Sequence, residues 1–269
     1  MVATVNNGRV LILGAGGPVG AAAIASLKDH YELLVTDSRP MAEAAAGPRQ
    51  SARAPLPELL GAPHENRVVD VSNYDQVFSA INEVDAVINL TVLRPHPVLA
   101  FHVNMIGAYN VAKACAACRI KRLIHTGPFH SNLGYDSDWW NDFRVSDDIP
   151  IHPADDLYAM TKYLSNDITR IFAETHELEV LTFLYCSFRP REVLPEEFGK
   201  GIHTHSISWE DTGEGFFHGL RASPMPSVYE TFFMCTRLPH EKYIPEKVKR
   251  LLGWEPQDRF QQLFTRKDS

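Results

Sequence analysis

The first apolar run in the chain is Val10-Leu-Ile-Leu13, closed by Gly14. A short continuous apolar run bounded by a turn signal predicts a strand buried on both faces. An alanine-rich stretch over 19–29 predicts a helix, and YELLVTD over 31–37 predicts a second buried strand. The alternation then recurs, with strands expected over 67–71, 86–90, 122–126 and 178–184 and helices over 74–82, 98–118 and 157–176. Strand and helix in repeated succession predict a Rossmann-type, doubly wound α/β fold, because parallel neighbours need crossover helices that cover both faces. Two stretches break the pattern. Residues 38–66 carry Pro40, Pro48, Pro55, Pro57 and Pro63 and read as a long loop with one short helix near 41–46. From about residue 189 the periodicity fails, and 189–269 reads as a small C-terminal lobe packed on a domain of residues 1–188.

Composition narrows the class. The chain has 269 residues, 45% hydrophobic and 22% charged, enough for one large domain with a small lobe attached. A formal charge of -7 argues against a nucleic-acid partner, since phosphate binding needs a basic face. Neither a signal-peptide apolar core nor an apolar run of membrane-spanning length is found, so no membrane association and a cytoplasmic setting are expected. Cys115 and Cys118 form a CxxC pair inside an alanine-rich helical run, with no second pair to complete a metal set. They read as small buried helix residues. His203-Thr-His205 likewise lacks acidic or thiol partners at ligand spacing, and no metal is expected.

The chemistry begins at Gly14-Ala-Gly16-Gly17-Pro18-Val19-Gly20, directly between a strand and a helix. Gly14 suits a tight turn, Gly16 and Gly17 let backbone approach a pyrophosphate, and Gly20 lets the helix pack close to the strand. The helix N-terminus beyond Pro18 and Val19 offers free N–H groups to the phosphates. Asp37, with Ser38 beside it, ends the second strand, where a carboxylate accepts both ribose hydroxyls of NAD and repels the extra phosphate of NADP. Arg39 pulls the other way, so NAD is favoured without NADP being excluded. Asp70-Val71 is placed to face the adenine, and Leu90-Thr91 to lie by the nicotinamide ribose. The loop 38–66 would border the adenosine end.

Tyr158-Ala-Met-Thr-Lys162 sets a tyrosine and a lysine four residues apart, on one face of a helix. The ammonium would favour the tyrosinate, and the tyrosine could exchange a proton with a substrate hydroxyl while hydride moves. Arg94 follows the nicotinamide-side strand and could pair with a substrate carboxylate. Arg189 and Arg191 open the C-terminal segment, and Trp139, Trp140 and Trp209 are candidates for pocket walls.

Together these residues resemble the extended short-chain dehydrogenase/reductases, the NAD-dependent epimerase/dehydratase group. The likeness rests on Gly14, Gly17 and Gly20, on Asp37 and Asp70-Val71, on Asn104-Met-Ile-Gly107-Ala-Tyr-Asn110-Val, on Tyr158 and Lys162, and on Leu251-Leu-Gly-Trp-Glu-Pro256. It implies a cofactor contact for Asn104 and a homodimer through the helices at 98–118 and 157–176. Within the group, the short length and Gly127-Pro-Phe-His130-Ser-Asn-Leu-Gly-Tyr135 look most like the uronate dehydrogenases. That implies substrate contacts at His130 and Ser187, with Arg189 nearby. The chain departs from the group where its catalytic serine or threonine should stand, at Gly127 or Pro128. Thr126, Ser131 or His130 would have to supply that hydrogen bond. The implied activity is NAD-dependent hydride transfer from a sugar or sugar acid. Two alternatives remain: a nucleotide-sugar epimerase or dehydratase with tightly held NAD, and an NAD(H)-binding sensor without turnover.

Overall fold

The computed structural model describes residues 4–51 and 53–264, with only the backbone described at Asp138 and Trp139. The chain runs β1 (Arg9–Leu13), α1 (Pro18–Leu27), β2 (Glu32–Asp37), α2 (Met41–Ala46), β3 (Glu65–Val68), α3 (Tyr74–Ile81) and β4 (Ala86–Asn89). Then follow α4 (Pro97–Ala100), a π-helical segment (Phe101–Ile106), α5 (Gly107–Ala117), β5 (Arg122–Pro128), α6 (Leu157–Thr175) and β6 (Glu179–Tyr185). The last part holds β7 (Ser187–Arg189), β8 (Ser206–Ser208), α7 (Trp209–Arg221), β9 (Tyr229–Phe233) and α8 (Glu246–Leu252). Seven strands form one sheet in the order β3-β2-β1-β4-β5-β6-β9, every pairing parallel. The order reverses between β1 and β4, which opens a crevice at their carboxyl ends.

Alternation along each strand feeds two cores. Val10 and Ile12 pack with Ile24, Phe216 and Leu220 on one face, while Leu11 and Leu13 pack with Val77, Val111 and Ala173 on the other. This is the fold class that the apolar runs predict. Two expectations need correction. Pairing of β3 with β2 stops at Asp37↔Val68, so Asp70 and Val71 lie in a turn beyond the strand rather than inside it. The expected helix over 98–118 is interrupted by the π-helical segment, where Asn104 is buried.

The segment after residue 189, expected as a small lobe packed on the first domain, also adds a strand to the sheet. Its β9 pairs with β6, and α7 packs beside α1. The helix escaped a periodicity search because its inner face is built from glycine. A Cβ on Gly213 would lie 2.4 Å from the carbonyl oxygen of Ala22, and one on Gly219 would lie 2.8 Å from the Phe183 ring. Glycines that read as breaks are here the close contacts between α1, α7 and the sheet. No helix among the described residues is long and apolar enough to cross a membrane. Gly213→Ala is expected to destabilise the fold by about 1–3 kcal/mol through overpacking. A fall in the urea midpoint at unchanged slope would show this; an unchanged midpoint would mean the two helices separate freely.

Candidate active site

The crevice starts at the β1–α1 turn. Gly14 has φ +77°, and a Cβ there would sit 3.0 Å from the Thr91 nitrogen, so the turn needs glycine both for its conformation and for its approach to the 90–91 segment. Gly20 lies against the Ala15 carbonyl, 2.2 Å from where its Cβ would be. A Cβ on Gly17 would meet nothing within 4 Å. That open space fronts the N-terminus of α1, where Gly17 is the cap and no side chain caps the helix. Pro18 at the first turn has no N–H to leave unpaired, and the N–H groups of Val19 and Gly20 have no intrahelical partner. The construction fits a pyrophosphate, held by backbone donors and the helix dipole.

Asp37 accepts a hydrogen bond from the Gly16 N–H at 2.9 Å, and the Ser38 hydroxyl lies 3.4 Å from its other oxygen. Arg39, Gln50, Asp70 and Val71 border the same cleft. Gln50 brings the long loop 38–66 to the same cleft as Asp37 and Asp70. The Asp70 carboxylate is engaged by the backbone N–H and hydroxyl of Ser72, at 2.9 and 2.7 Å. The opposite wall runs through Leu90, Thr91, Val92, Leu93 and Arg94.

Asn104 is not a wall residue. Its side chain exchanges hydrogen bonds with the Leu93 backbone, at 2.9 and 2.8 Å, and donates to Thr161 Oγ1 at 2.9 Å. It thereby clamps the 90–94 segment to α6 and lines neither cavity.

A second cavity of about 230 Å³ continues from the cleft, lined by Arg94, Thr126, Gly127, Pro128, His130, Tyr158, Lys162, Tyr185, Cys186 and Phe188 among others. The structure brings Tyr158 and Lys162 together at its wall. Asp156 caps α6 by accepting from the Tyr158 and Ala159 N–H groups, each at 3.0 Å, which fixes where the tyrosine emerges. Lys162 is fully buried one turn later, and its Nζ reaches the Thr91 carbonyl at 3.4 Å. Burial, and then the neighbouring Arg94, pull its pKa down to about 7. Burial holds the Tyr158 phenol above its ordinary value, and Arg94 pulls against that rise. Arg94 adds a second cation beside the tyrosine, its guanidinium carbon 4.6 Å from the Tyr158 ring centre.

The substitutes for a serine at the end of β5 are placed differently. Thr126 lines the cavity but donates its hydroxyl proton to the Asn89 carbonyl at 3.0 Å. Ser131 is fully buried outside it, donating to the Pro128 carbonyl at 2.8 Å and accepting from Asn166 at 3.2 Å. His130 lines the cavity, its ring edge-on to Tyr158 with centroids 5.6 Å apart and its Nε2 3.8 Å from Asp156. Ser187 borders neither cavity; strand alternation presents Phe188 instead. Arg189 is paired with Glu197 at 2.8 Å and Arg191 with Asp258 at 2.9 Å, and neither reaches the site. Trp209 stacks on Phe188 at 4.8 Å and borders the cleft, Trp140 packs on Phe129, and the Trp139 side chain lies outside the described residues. His205 is fully buried and stacked on Phe129, and no group of three metal-ligating side chains occurs among the described residues.

Sequence inspection missed Gln50, Val92, Asp156, Tyr185, Cys186 and Phe188. Only two carried a signal: Asp156 stands where a helix cap should, and the alternation of β7 would have chosen Phe188 over Ser187.

Such a cleft, with a tyrosine and a buried lysine one helical turn apart at its inner end, is that of the dinucleotide-binding α/β enzymes. Residues 10–203 match the NAD dependent epimerase/dehydratase family, and the chain belongs to it, an NAD-dependent dehydrogenase or epimerase by class. The chain is 22% identical over 261 residues to an NAD-dependent glucose-6-phosphate dehydrogenase of Haloferax volcanii, covering 93% of each chain. It is 23% identical over 269 residues to an L-arabinose 1-dehydrogenase (NAD(P)(+)) of the same organism, covering 93% of this chain and 96% of the other. The crystal structure of uronate dehydrogenase from Agrobacterium tumefaciens superposes with a TM-score of 0.74 at 19% identity, over 96% of this chain and 87% of that one.

The buried lysine gives a testable sign. Unfolded, Lys162 keeps its proton up to its ordinary value of 10.5; folded, it gives it up near 7. Between those values the unfolded chain binds more protons, so stability relative to Lys162→Met rises with pH from about 7 upward and is flat below. Urea unfolding of both proteins from mildly acidic to alkaline pH measures the difference. A constant difference would mean the lysine titrates as if exposed.

Proposed function

We propose that the protein is an NAD-dependent dehydrogenase that removes hydride from a carbinol carbon of a single sugar or sugar acid. The reaction cavity carries this reading. At about 230 Å³ beside Tyr158 and Lys162 it suits one sugar ring rather than a nucleotide sugar, and Arg94 at its edge has no carboxylate partner among the described residues. The names of the Haloferax relatives and of the Agrobacterium structure, all sugar or sugar-acid dehydrogenases, support the same class.

NAD would lie with its pyrophosphate at the α1 N-terminus, its adenosine ribose at Asp37 and its nicotinamide ribose near Thr91 and Lys162. Bound, it supplies the hydride acceptor. The chain does the rest: Tyr158 takes the hydroxyl proton, Lys162 holds the ribose, and Arg94 and His130 face the substrate. Thr126 can still accept a hydrogen bond, whereas Ser131 would need to leave its buried site to assist. The Asp37 carboxylate favours NAD over NADP, with Arg39 close enough to leave some NADP use.

A homodimer is part of the proposal. Val98, Leu99, Phe101, Ile106, Tyr109, Met160 and Ile171 are all exposed on α4, the π-helical segment, α5 and α6, an apolar set that a second copy would cover. A cytoplasmic setting agrees with four unpaired cysteines.

The decisive experiment follows NADH absorbance with purified protein, NAD or NADP, and a panel of aldoses and hexuronic acids. NADH should appear with at least one of them. Tyr158→Phe should lower kcat by about a hundredfold or more while NAD still binds. Arg94→Ala should raise KM for an acidic sugar by roughly tenfold while KM for neutral sugars changes little. Silence across the panel with NAD tightly co-purifying would favour an epimerase instead. For the assembly, Ile106→Glu should convert a dimer into a monomer in sedimentation velocity; a monomeric parent protein would refute the interface.

A further inference from the structure

Tyr158 works among five charged or titratable neighbours. Lys162 lies one turn along α6, Asp156 caps that helix, His130 follows β5, Cys186 follows β6, and Arg94 arrives on the loop after β4. Asp156 and Cys186 both resist loss of the phenolic proton. His130 is itself held below its ordinary value, by burial first, with Asp156 pulling the other way. Lys162 is a removable charge: it is buried at the cavity wall, its Nζ donates to the Thr91 carbonyl at 3.4 Å, and no carboxylate of the described residues pairs with it. A guanidinium, by contrast, keeps its proton at any working pH.

Arg94 has the geometry to use that property. Its guanidinium carbon lies 4.6 Å from the Tyr158 ring centre, and the residue borders both the cofactor cleft and the reaction cavity. No acidic side chain of the described residues pairs with it, whereas Arg189 and Arg191, which lie outside the site, are held by Glu197 and Asp258. The loop that carries it is held from behind by Asn104, which binds both polar backbone atoms of Leu93. An exposed arginine so placed, with no acidic partner among the described residues and lying over a partly buried tyrosine ring, is positioned for that phenol.

We propose that Arg94 is a positioning residue of the catalytic site, the permanent cation that stabilises the ionised form of Tyr158, a part Lys162 fills only while it remains protonated. The role rests on Tyr158 being the acid/base group of the dehydrogenase, and it deepens that assignment. In the step itself the carbinol C–H bond breaks and its electron pair leaves as hydride to NAD+. The O–H bond breaks and its proton passes to the ionised Tyr158 oxygen, a C=O bond forms, and Arg94 gains and loses nothing.

Two measurements test it. The first needs no turnover. Phenolate absorbance is titrated in the substrate-free protein, and the Tyr158→Phe trace is subtracted to isolate Tyr158. Arg94→Met should raise that midpoint by roughly one pH unit, the lower end of what an opposite charge at this separation produces. Arg94→Lys, which keeps a charge, should restore at least half of the shift. The second is the pH profile of kcat/KM for whichever sugar is turned over, where the limb assigned to Tyr158 should move upward in Arg94→Met and return in Arg94→Lys. An unmoved midpoint and limb in Arg94→Met would overturn the proposal, even if activity falls. So would a shift that Arg94→Lys fails to reverse, because the guanidinium would then be acting as packing. If no sugar is oxidised but the titration shifts as stated, the dehydrogenase assignment fails and the Arg94–Tyr158 coupling stands.

Discussion

The site depends on one buried amide. Asn89 ends β4 with almost no exposure and ties together three elements that meet above the sheet. Its side-chain oxygen accepts from the Thr91 N–H and hydroxyl at 3.2 and 2.7 Å, and its carbonyl accepts the Thr126 hydroxyl at 3.0 Å. Its amide nitrogen meets His125 Nδ1 at 3.3 Å, and the opposite ring nitrogen meets Ser165 on α6 at 3.0 Å. Burial keeps His125 far below its ordinary value, so the ring is neutral and passes one hydrogen bond on each side. Ser165 then donates to the Lys162 carbonyl at 2.8 Å. Strand β4, strand β5 and α6 are thereby fixed to one another by a buried polar chain, in a setting where an unused polar group would be costly.

The constraint also sets what the reacting end lacks. Thr126 serves Asn89, so its proton is committed to holding the strands together. Gly127 and Pro128, which do face the cavity, contribute shape and no donor. The other polar side chains at the cavity arrive from outside β5: Arg94 from the β4 loop, Tyr158 and Lys162 from α6, and His130 from the turn after the strand. Electrostatics rather than a row of hydroxyls dominates this cavity, and its strongest charge comes from an exposed loop rather than from the helix that bears the tyrosine.

Much of this was legible in the sequence, for reasons that can be named. The apolar runs of β1, β2, β4, β5 and β6 are buried on both faces, so their composition reports their environment directly. The glycine turn was legible because Gly14 and Gly20 answer local steric demands, a positive φ and a carbonyl at contact distance, that no other residue meets. Tyr158 and Lys162 were legible because helix spacing alone sets them on one face. What failed was whatever depends on partners distant in sequence. Asn104 looks like a ligand contact and is a clamp, because Leu93 and Thr161 consume it. Ser187 and Phe188 differ only in which way a three-residue strand faces, a matter decided by its pairing with β8. Arg189 and Arg191 are silenced by Glu197 and Asp258, which no spacing rule links to them.

The placement of β9 bears on how the molecule comes into being on the ribosome. Strand β6 is complete by residue 185, but the neighbour that covers its outer edge is not made until residues 229–233. Throughout the intervening synthesis, the growing chain presents an apolar parallel strand, Glu179–Tyr185, with one row of backbone groups unpaired. An uncovered edge of this kind invites pairing with other chains. Helix α7, whose glycines seat it against α1, is completed before β9 and shields one face of the sheet, yet it leaves that edge open. The nascent protein therefore passes through a stage in which its dinucleotide turn is already formed while its sheet is still adhesive, and release from that stage waits on the last fifth of the chain.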